Sequence, residues 1–202
     1  MAIRHAKADE AQPAPPALDA SAHRILDAAA ELLATRDTRA VTVAEIARLA
    51  SVSRPTVYRR WPDADAIVRA AQLRAITQIL DELGPAPTTR DEIVRDVLRF
   101  SARFRSHPLF ARLLEREPES FSRYALQRIG ASQRAMLHWL AVAIAAGQRD
   151  GSVRAGSPSD IAVMLLLIAQ AAILSHGIVT ALIDEQHWQA ELRHAIDRHL
   201  AP

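Results

Sequence analysis

The stretch TVAEIARLASVSRPTVYRRW, residues 42–61, carries the start signals of two short helices with a break between them. Thr42 and Glu45 have the spacing of a capping box, in which each side chain bonds a free backbone N–H of the first turn. Ser53 is a second N-cap, and Pro55 is tolerated beside it because its missing N–H has no intrahelical partner there. These signals predict two helices, over about residues 43–50 and 54–61.

Helical patterns continue on both sides of this stretch. Apolar residues three and four apart predict a helix from about Ser21 until the pattern is lost at Asp37. One long helix is predicted between Pro118 and Asp150. No segment has the alternation of a strand bounded by turn residues. The sequence therefore predicts an all-α fold of about nine helices.

The composition is that of a globular chain and excludes several kinds of site. Of the 202 residues, 50% are hydrophobic, which is enough to bury one or two cores. The chain has no cysteine, so disulfides, thiolate zinc sites and a cysteine nucleophile are excluded, and a cytoplasmic location is expected. Residues 1–20 are rich in Ala and Pro and lack the apolar core of a signal peptide, which predicts a flexible arm.

Positive charge is concentrated in the opening stretch. The whole chain has 25 basic and 23 acidic side chains, and residues 61–202 carry 16 of each. Residues 48–60, by contrast, contain four arginines and no acid. Two short helices with this charge and a preceding helix fit the arrangement that places the second helix in the major groove of double-stranded DNA.

Arg54 is the first candidate for reading bases. It lies in the first turn of the second helix, and a guanidinium pairs with the O6 and N7 atoms of guanine. Thr56 and Pro55 suit a hydroxyl contact and an apolar contact to a thymine methyl, whereas the neighbouring side chains and the preceding helix start suit phosphate oxygens. The complete predicted set of DNA contacts is Thr42, Ser53, Arg54, Pro55, Thr56, Tyr58, Arg59 and Arg60.

Three segments of this region resemble the DNA-binding domain of TetR-family transcriptional regulators. They are RILDAA at 24–29, VTVAEIA at 41–47 and VSRPTVYRRWP at 52–62. The resemblance implies a DNA-binding domain over residues 21–66 and a helical effector-binding and dimerisation domain over residues 67–202. It also implies a homodimer that reads a palindromic operator, usually as a repressor, and a small-molecule pocket that controls the spacing of the two recognition helices.

Two residues depart from the pattern of the family. Ser51 stands where the family usually has glycine, so the turn must contain a left-handed serine or be built differently. Ala64, between Asp63 and Asp65, stands where members often have a phosphate-binding lysine. We therefore expect fewer phosphate contacts and a shallower salt dependence than in a typical member.

The segment from Ile161 to Ile183 is nearly continuously apolar and predicts a helix that is hydrophobic almost all round. Its length would also span a bilayer, but the flanking acids and the polar Gln170 and His176 argue against that location. Burial against the chain itself and a second subunit is the preferred explanation. The predicted dimer interface contains Ile161, Leu165, Ile168, Ala172, His176, Val179, Ile183 and Trp188.

Aromatic residues cluster between positions 100 and 139, with polar side chains among them. A ligand cavity is typically apolar with a few convergent polar groups, although the same rings also suit an ordinary core. The predicted ligand-binding residues are Phe100, Arg103, Phe104, His107, Phe110, Phe121, Tyr124 and Trp139.

Other classes of function are weaker alternatives. The six glycines form no dinucleotide-binding motif, and no metalloprotease motif is present, so we expect neither an enzyme nor a cofactor. A metal-responsive regulator would require His107, His138 and His176 to converge with a carboxylate, and solvated or core histidines are the simpler explanation. A DNA-binding protein with no effector is the third alternative.

Overall fold

The computed structural model describes residues 19–119, 121–122 and 129–202, so the predicted arm lies almost wholly outside the described residues. Within these ranges the chain forms nine α-helices and no strand, which confirms the all-α prediction. Residues 118–119 and 121–122 are also helical. The nine helices are α1 (Ala20–Thr35), α2 (Val43–Leu49), α3 (Arg54–Tyr58), α4 (Ala64–Glu82), α5 (Arg90–Ser106), α6 (Pro108–Arg116), α7 (Ala131–Asp150), α8 (Pro158–Val179) and α9 (Glu185–Leu200).

Side-chain caps begin most of these helices. The predicted capping box is present at α2, where the Glu45 N–H donates to Thr42 Oγ1 (3.3 Å) and the Thr42 N–H donates to Glu45 Oε2 (3.3 Å). Such a pair satisfies two backbone donors that have no partner within the helix. The other helices that begin with a capping side-chain oxygen have Asp19, Ser53, Asp63, Thr89, Ser157 and Asp184 at the N-cap.

Helix α3 is shorter than predicted. It ends at Tyr58, whereas the sequence pattern suggested Trp61. Pro62 disfavours helical backbone at the residue before it, and the chain tightens into a turn in which the Arg60 N–H donates to the Val57 carbonyl (3.0 Å). The recognition segment is therefore one and a half turns of helix followed by an arginine-rich turn.

Helix α7 also starts later than predicted. The long helix expected from Pro118 begins at Ala131, because Gly130 has an extended backbone (ψ −176°). It ends where the sequence predicted, at Gly151, whose φ of +81° is the left-handed conformation that glycine favours at a helix end.

The buried side chains form two hydrophobic clusters. The first joins α1–α4 to the inner faces of α5 and α6, and contains Ile46, Phe104 and Ile173. The second joins α5, α7, α8 and α9, and contains Ile144 and Leu165. The helix-turn-helix segment therefore shares a continuous core with helices of the C-terminal part, and α4 packs against both α1 and α7.

Candidate nucleic-acid interface and internal cavity

The turn between α2 and α3 contains a left-handed serine. Ser51 has a φ of +54°, and it is the one residue other than glycine with a positive φ in the described part of the chain. The Ser51 N–H donates to the Arg48 carbonyl (3.2 Å) and the Val52 N–H to the Ala47 carbonyl (2.9 Å). These bonds end α2 at a residue with left-handed backbone, a position that glycine usually occupies. The serine therefore has the conformation that its position in the turn requires.

One face of α3 is held in the core and the other is exposed. Val57 is completely buried and packs in the first cluster with Ile46 of α2. On the opposite side Arg54, Pro55 and Tyr58 are exposed, and Arg59 is exposed in the turn that follows. The structure therefore brings most of the predicted DNA contacts together on one surface, which we call the α3 face (Arg54, Pro55, Thr56, Tyr58 and Arg59).

Two arginines of the α3 face are available for a partner. Arg54 and Arg59 have neither a hydrogen bond nor an ion pair with any described residue, whereas the nearby hydroxyls are engaged in capping. Ser53 Oγ accepts from the Thr56 N–H (3.3 Å) and lies 2.8 Å from Thr56 Oγ1. The predicted contacts Ser53 and Thr42 thus serve first to begin α3 and α2.

Arg60 has a different environment from the one predicted. Its guanidinium forms an ion pair with Asp19 and a hydrogen bond with Ser21 Oγ (3.4 Å), at the start of α1. Hydrogen bonds from the Ala22 backbone N–H and the Ser21 hydroxyl, together with the charge of Arg60, lower the pKa of Asp19 to about 2. The sequence gives no signal for this pair, because its members are 41 positions apart.

The loop before α2 is tied to α6 by two side chains. Glu117 Oε1, at the end of α6, accepts from the backbone N–H (2.7 Å) and the hydroxyl (3.0 Å) of Thr38. Arg112 of α6 pairs with Asp37 at 2.8 Å. The described residues thus connect α6 directly to the segment between α1 and α2, and the sequence did not predict this link.

Helices α4, α5, α7 and α8 surround an internal cavity, with α6 contributing one wall. The centre of a water molecule can occupy about 60 Å³ of it. The described residues that line it are Gln72, Ile76, Leu80, Val97, Phe100, Phe104, Phe110, Phe121, Ser132, Gln133, Met136, Trp139, Leu140, Leu165, Leu166, Ala169, Gln170 and Ile173.

Five of the eight predicted ligand-binding residues line the cavity, and they are all aromatic. Phe104 is the centre of this group, with its ring stacked 4.0 Å from that of Phe110 and tilted 5.7 Å from that of Phe121. The other two are Phe100 and Trp139. The polar lining residues were not among the predicted ligand-binding residues. A glutamine on an apolar helix face has the same sequence pattern whether it lines a cavity or lies in the core.

The remaining three predicted ligand residues are not in the described lining. Arg103 is mostly exposed and pairs with Glu82 at 4.0 Å, so the prediction is corrected there. His107 packs against Phe110 behind the cavity wall, where burial lowers the pKa of its imidazole, and its prediction is corrected as well. Tyr124 lies outside the described residues.

Helices α7, α8 and the segment after α8 expose a set of large apolar side chains. Leu167 is 45% exposed on α8, and Leu182 is 79% exposed just beyond it. The exposed side of α8 is not the side that was predicted to form the dimer interface. Ile161 and Leu165 of the predicted interface lie in the protomer core and present no surface to a second subunit. The exposed set, here called the apolar face, contains Val142, Val163, Met164, Leu167, Ile178, Leu182 and Ile183.

The other predicted interface residues have mixed environments. Ile168, Ala172 and Val179 are half-buried on α8. Trp188 is buried beneath the Arg105 guanidinium, 4.7 Å from its ring, and beside His176, whose ring centre lies at 4.8 Å. Trp188 therefore belongs to the protomer core, and the prediction is corrected there.

The three histidines considered as metal ligands do not form a metal site. No group of three or more His, Asp or Glu side chains in the described residues is placed to hold a metal ion. His107 lies at the junction of α5 and α6, and His138 is exposed on α7. His176 Nε2 lies 2.7 Å from Glu185 Oε2.

Helix α8 is long and apolar enough, by length and composition alone, to cross a membrane, with a mean hydropathy of 2.1. The core helix of a soluble protein meets the same criteria. Leu165 and Ala162 of α8 are completely buried against other helices of the chain. The composition of this helix by itself therefore does not indicate a membrane span.

Comparison with known proteins agrees with this architecture. The sequence profile described as "Bacterial regulatory proteins, tetR family" matches residues 25–71. The chain is 38% identical over 177 residues to the HTH-type transcriptional regulator Rv2250c of Mycobacterium tuberculosis, covering 88% of this chain and 93% of the relative.

Solved structures share the fold at lower sequence identity. The transcriptional repressor QsdR of R. erythropolis, from the TetR family, superposes with a TM-score of 0.66 at 17% identity, over 89% of this chain and 94% of that one. RolR in complex with resorcinol gives a TM-score of 0.65 at 16% identity, over 90% and 87% of the two chains. With its helix-turn-helix, its helical C-terminal part and a relative matched over nearly its whole length, this chain belongs to the TetR family of bacterial transcriptional regulators, which are DNA-binding proteins and not enzymes.

Proposed function

We propose that the protein is a cytoplasmic repressor that binds a palindromic operator as a homodimer and is released by a small, largely apolar ligand. The observation that carries the proposal is the position of α6, which contributes Phe110 to the cavity wall and holds the loop before α2 through Arg112 and Glu117. A ligand that displaces Phe110 would act on the same short helix that positions the helix-turn-helix.

In this proposal, residues 21–66 bind DNA, and residues 67–202 bind the ligand and form the dimer. Arg54 reads a base, since it lies in the first turn of α3 with no partner among the described residues, and Pro55 and Thr56 lie beside it. Arg59, Tyr58 and the start of α2 at Thr42 contact phosphates. Arg60 acts by holding α3 against α1, because its guanidinium already pairs with Asp19.

Dimerisation through the apolar face is supported by its composition. Exposed apolar side chains on one continuous surface mark interaction sites in soluble proteins. Met164 and Leu167 stand on the side of α8 that faces away from its own core, and Val142 on α7, which packs against α8, is exposed as well. A second copy of the chain that presents the same face would bury this surface by two-fold symmetry.

The proposed ligand response requires a difference in affinity between two conformations. A ligand shifts the equilibrium only by as much as it favours one conformation, here the one whose recognition helices are wrongly spaced for successive major grooves. The cavity lies between α4 and α6, which both contact α1, so a change in its walls is transmitted to the helix-turn-helix. RolR, which shares the fold, was solved in complex with resorcinol, and this supports ligand binding by such a helical body.

Selection from a pool of random DNA duplexes tests the proposal. The purified full-length protein is mixed with the pool at physiological salt, and bound duplexes are amplified over several rounds. We expect a palindrome with two half-sites about one helical turn apart. Recovery of sequences without a shared motif would contradict a sequence-specific operator. An operator that no compound in a broad screen releases would favour a regulator without an effector.

A further inference from the structure

We propose that Arg24 of α1 binds a phosphate of the DNA with the free end of its guanidinium, which a hydrogen bond holds at the turn between α2 and α3. This inference adds a residue to the DNA-binding surface of the proposed function and rests on that function. Arg24 is not among the contacts predicted from the sequence, because its partner in the turn, Ala50, lies 26 positions away.

The Arg24 side chain reaches the helix-turn-helix from the neighbouring helix. Its Nε–H donates to the Ala50 carbonyl oxygen at 3.3 Å, and Ala50 ends α2 directly before the left-handed Ser51. Carbonyls at the end of a helix have no partner within it and carry the negative end of the helix dipole, so a guanidinium is favoured there. The bond therefore fixes Arg24 beside the turn that leads into α3.

The outer end of this guanidinium is free to bind a partner. An arginine donates from Nε and from both Nη atoms, and the bond to Ala50 uses Nε alone. Arg24 is exposed and forms no ion pair with a described residue. The Nη atoms thus keep the planar pair of donors that matches two oxygens of a phosphate.

The acids nearest to Arg24 in the sequence of α1 are paired with other arginines. Asp27, about one turn further along the helix, accepts from Arg74 of α4 at 2.7 Å. Asp19, at the start of α1, pairs with Arg60. The positive charge of Arg24 is therefore not neutralised by these acids, which favours an anionic partner such as the DNA backbone.

The first turns of α1 are attached to the recognition segment at both of its ends. Arg24 contacts the turn before α3, and the side chains of Asp19 and Ser21 bond Arg60 in the turn after it. The α3 face lies between the two attached turns. A helix placed in the major groove has the phosphates of both strands along its sides, and the bond to Ala50 puts Arg24 at the end of the face where α3 begins.

The salt dependence of DNA binding tests this role. The full-length protein and the variants Arg24→Gln and Arg24→Lys are titrated into the selected operator and into a scrambled duplex at several salt concentrations, with fluorescence anisotropy as the readout. Arg193→Gln is the matched control, because it removes the same charge from an exposed arginine of α9, which packs on α5 and α8. Urea unfolding of each protein measures separately what the bond to Ala50 adds to stability.

We expect Arg24→Gln to weaken binding to both duplexes by roughly 3- to 10-fold at about 0.1 M salt, and to reduce the salt slope by about one for each protomer bound. The two losses should be equal, because a phosphate contact carries no sequence information. Arg24→Lys should keep most of the slope, since its charge remains, but should bind more weakly than wild type, since an ammonium group lacks the planar fork. Arg193→Gln should leave the affinity and the slope unchanged.

Three results would overturn the proposal. A slope that Arg24→Gln does not change would show that this side chain only holds the turn, whatever the change in the free energy of unfolding. A loss confined to the operator would show that Arg24 acts on the position of α3 and not on a phosphate. An equal fall in slope for Arg193→Gln would reduce the effect to net charge.

The scrambled duplex keeps this test separate from the test of the proposed function. A protein that prefers no DNA sequence would contradict the proposed operator. The slope on the scrambled duplex would still decide whether Arg24 contacts a phosphate, because that contact is the same on every sequence.

Discussion

Arg54 and Arg59 both project from the α3 face, and their positions predict different effects on DNA binding. Arg54→Ala should cost about 1–3 kcal/mol on the operator and relax preference at one base pair, because Arg54 lies in the first turn of α3. Arg59→Ala should weaken binding to all sequences alike and reduce the salt slope by about one, as expected for a lost phosphate contact. Fluorescence anisotropy with operator and scrambled duplexes at several salt concentrations measures both. Equal losses on the two duplexes for both variants would contradict this assignment.

The backbone of Ser51 predicts an effect on stability. A left-handed conformation is strained for serine and relaxed for glycine, so Ser51→Gly should raise the free energy of unfolding by about 0.5–1 kcal/mol. Urea denaturation followed by circular dichroism measures the change. Ser51→Ala keeps the strain and serves as the control. A Ser51→Gly variant less stable than Ser51→Ala would show that the side chain, and not the φ of +54°, decides this turn.

Asp19 predicts the pH dependence of stability at acid pH. Its pKa is lowered from 3.8 to about 2 in the folded chain, first by the Ala22 N–H and also by Ser21 and Arg60. Its contribution is therefore present above pH 3.8 and is lost as the pH falls toward 2. Wild type should lose more stability than Asp19→Asn across this window. Parallel pH profiles for the two proteins, measured by denaturant unfolding, would exclude a role for this carboxylate in acid stability.

At the scale of elements, the close contact between α7 and the turn that follows it predicts a further effect. A methyl group added at Gly147 would lie 2.5 Å from Val153 Cγ2, and Val153 is a stiff, buried side chain. Gly147→Ala should therefore lower the free energy of unfolding by about 1–2 kcal/mol, despite the better helix propensity of alanine.

Removing the obstacle provides the control for this contact. In a Val153→Ala background the added methyl has space, and Gly147→Ala should then stabilise α7 by up to about 1 kcal/mol. Thermal and denaturant unfolding of the four proteins in this double-mutant cycle measure the coupling. The same destabilisation in both backgrounds would rule out the steric explanation.

Local signals explain why the starts of α2 and α3 could be predicted from sequence. The Thr42–Glu45 box and the Ser53 cap depend on neighbouring residues only, and both are present in the structure. The phase of α8 could not be predicted in the same way, because an apolar stripe is the signal for a buried face and this helix is apolar on all sides. Only its contacts with α7 and α9 show that Leu165 points inward and Leu167 outward.

Other features could not be predicted because they depend on contacts between residues that are far apart in the sequence. The Arg60–Asp19 pair and the Glu117–Thr38 bond join residues 41 and 79 positions apart, and neither member of a pair indicates the other in the sequence. The aromatic part of the cavity was predicted because rings concentrate between residues 100 and 139. Gln72 was not, because it comes from α4, outside that segment.

At the scale of the whole molecule, one continuous core connects the cavity with the helix-turn-helix. Phe104 and Phe110 of the cavity wall belong to the same cluster as Ile46 of α2. Packed interiors transmit displacement because they contain little free volume. Under the proposed function, a bound ligand should change the affinity for the operator, and a bound operator should change the affinity for the ligand. Linkage requires that the two affinities change by the same factor.

The spacing of the operator half-sites tests whether two α3 faces held in a homodimer read DNA together. The measurement is the affinity of the full-length protein for the selected operator and for a version with about five base pairs inserted at its centre, half a helical turn. We expect the insertion to reduce the affinity to that for a scrambled duplex, because the second α3 then faces the wrong side of the DNA. Unchanged affinity for the two duplexes would contradict it, since each α3 would then bind DNA independently of the other.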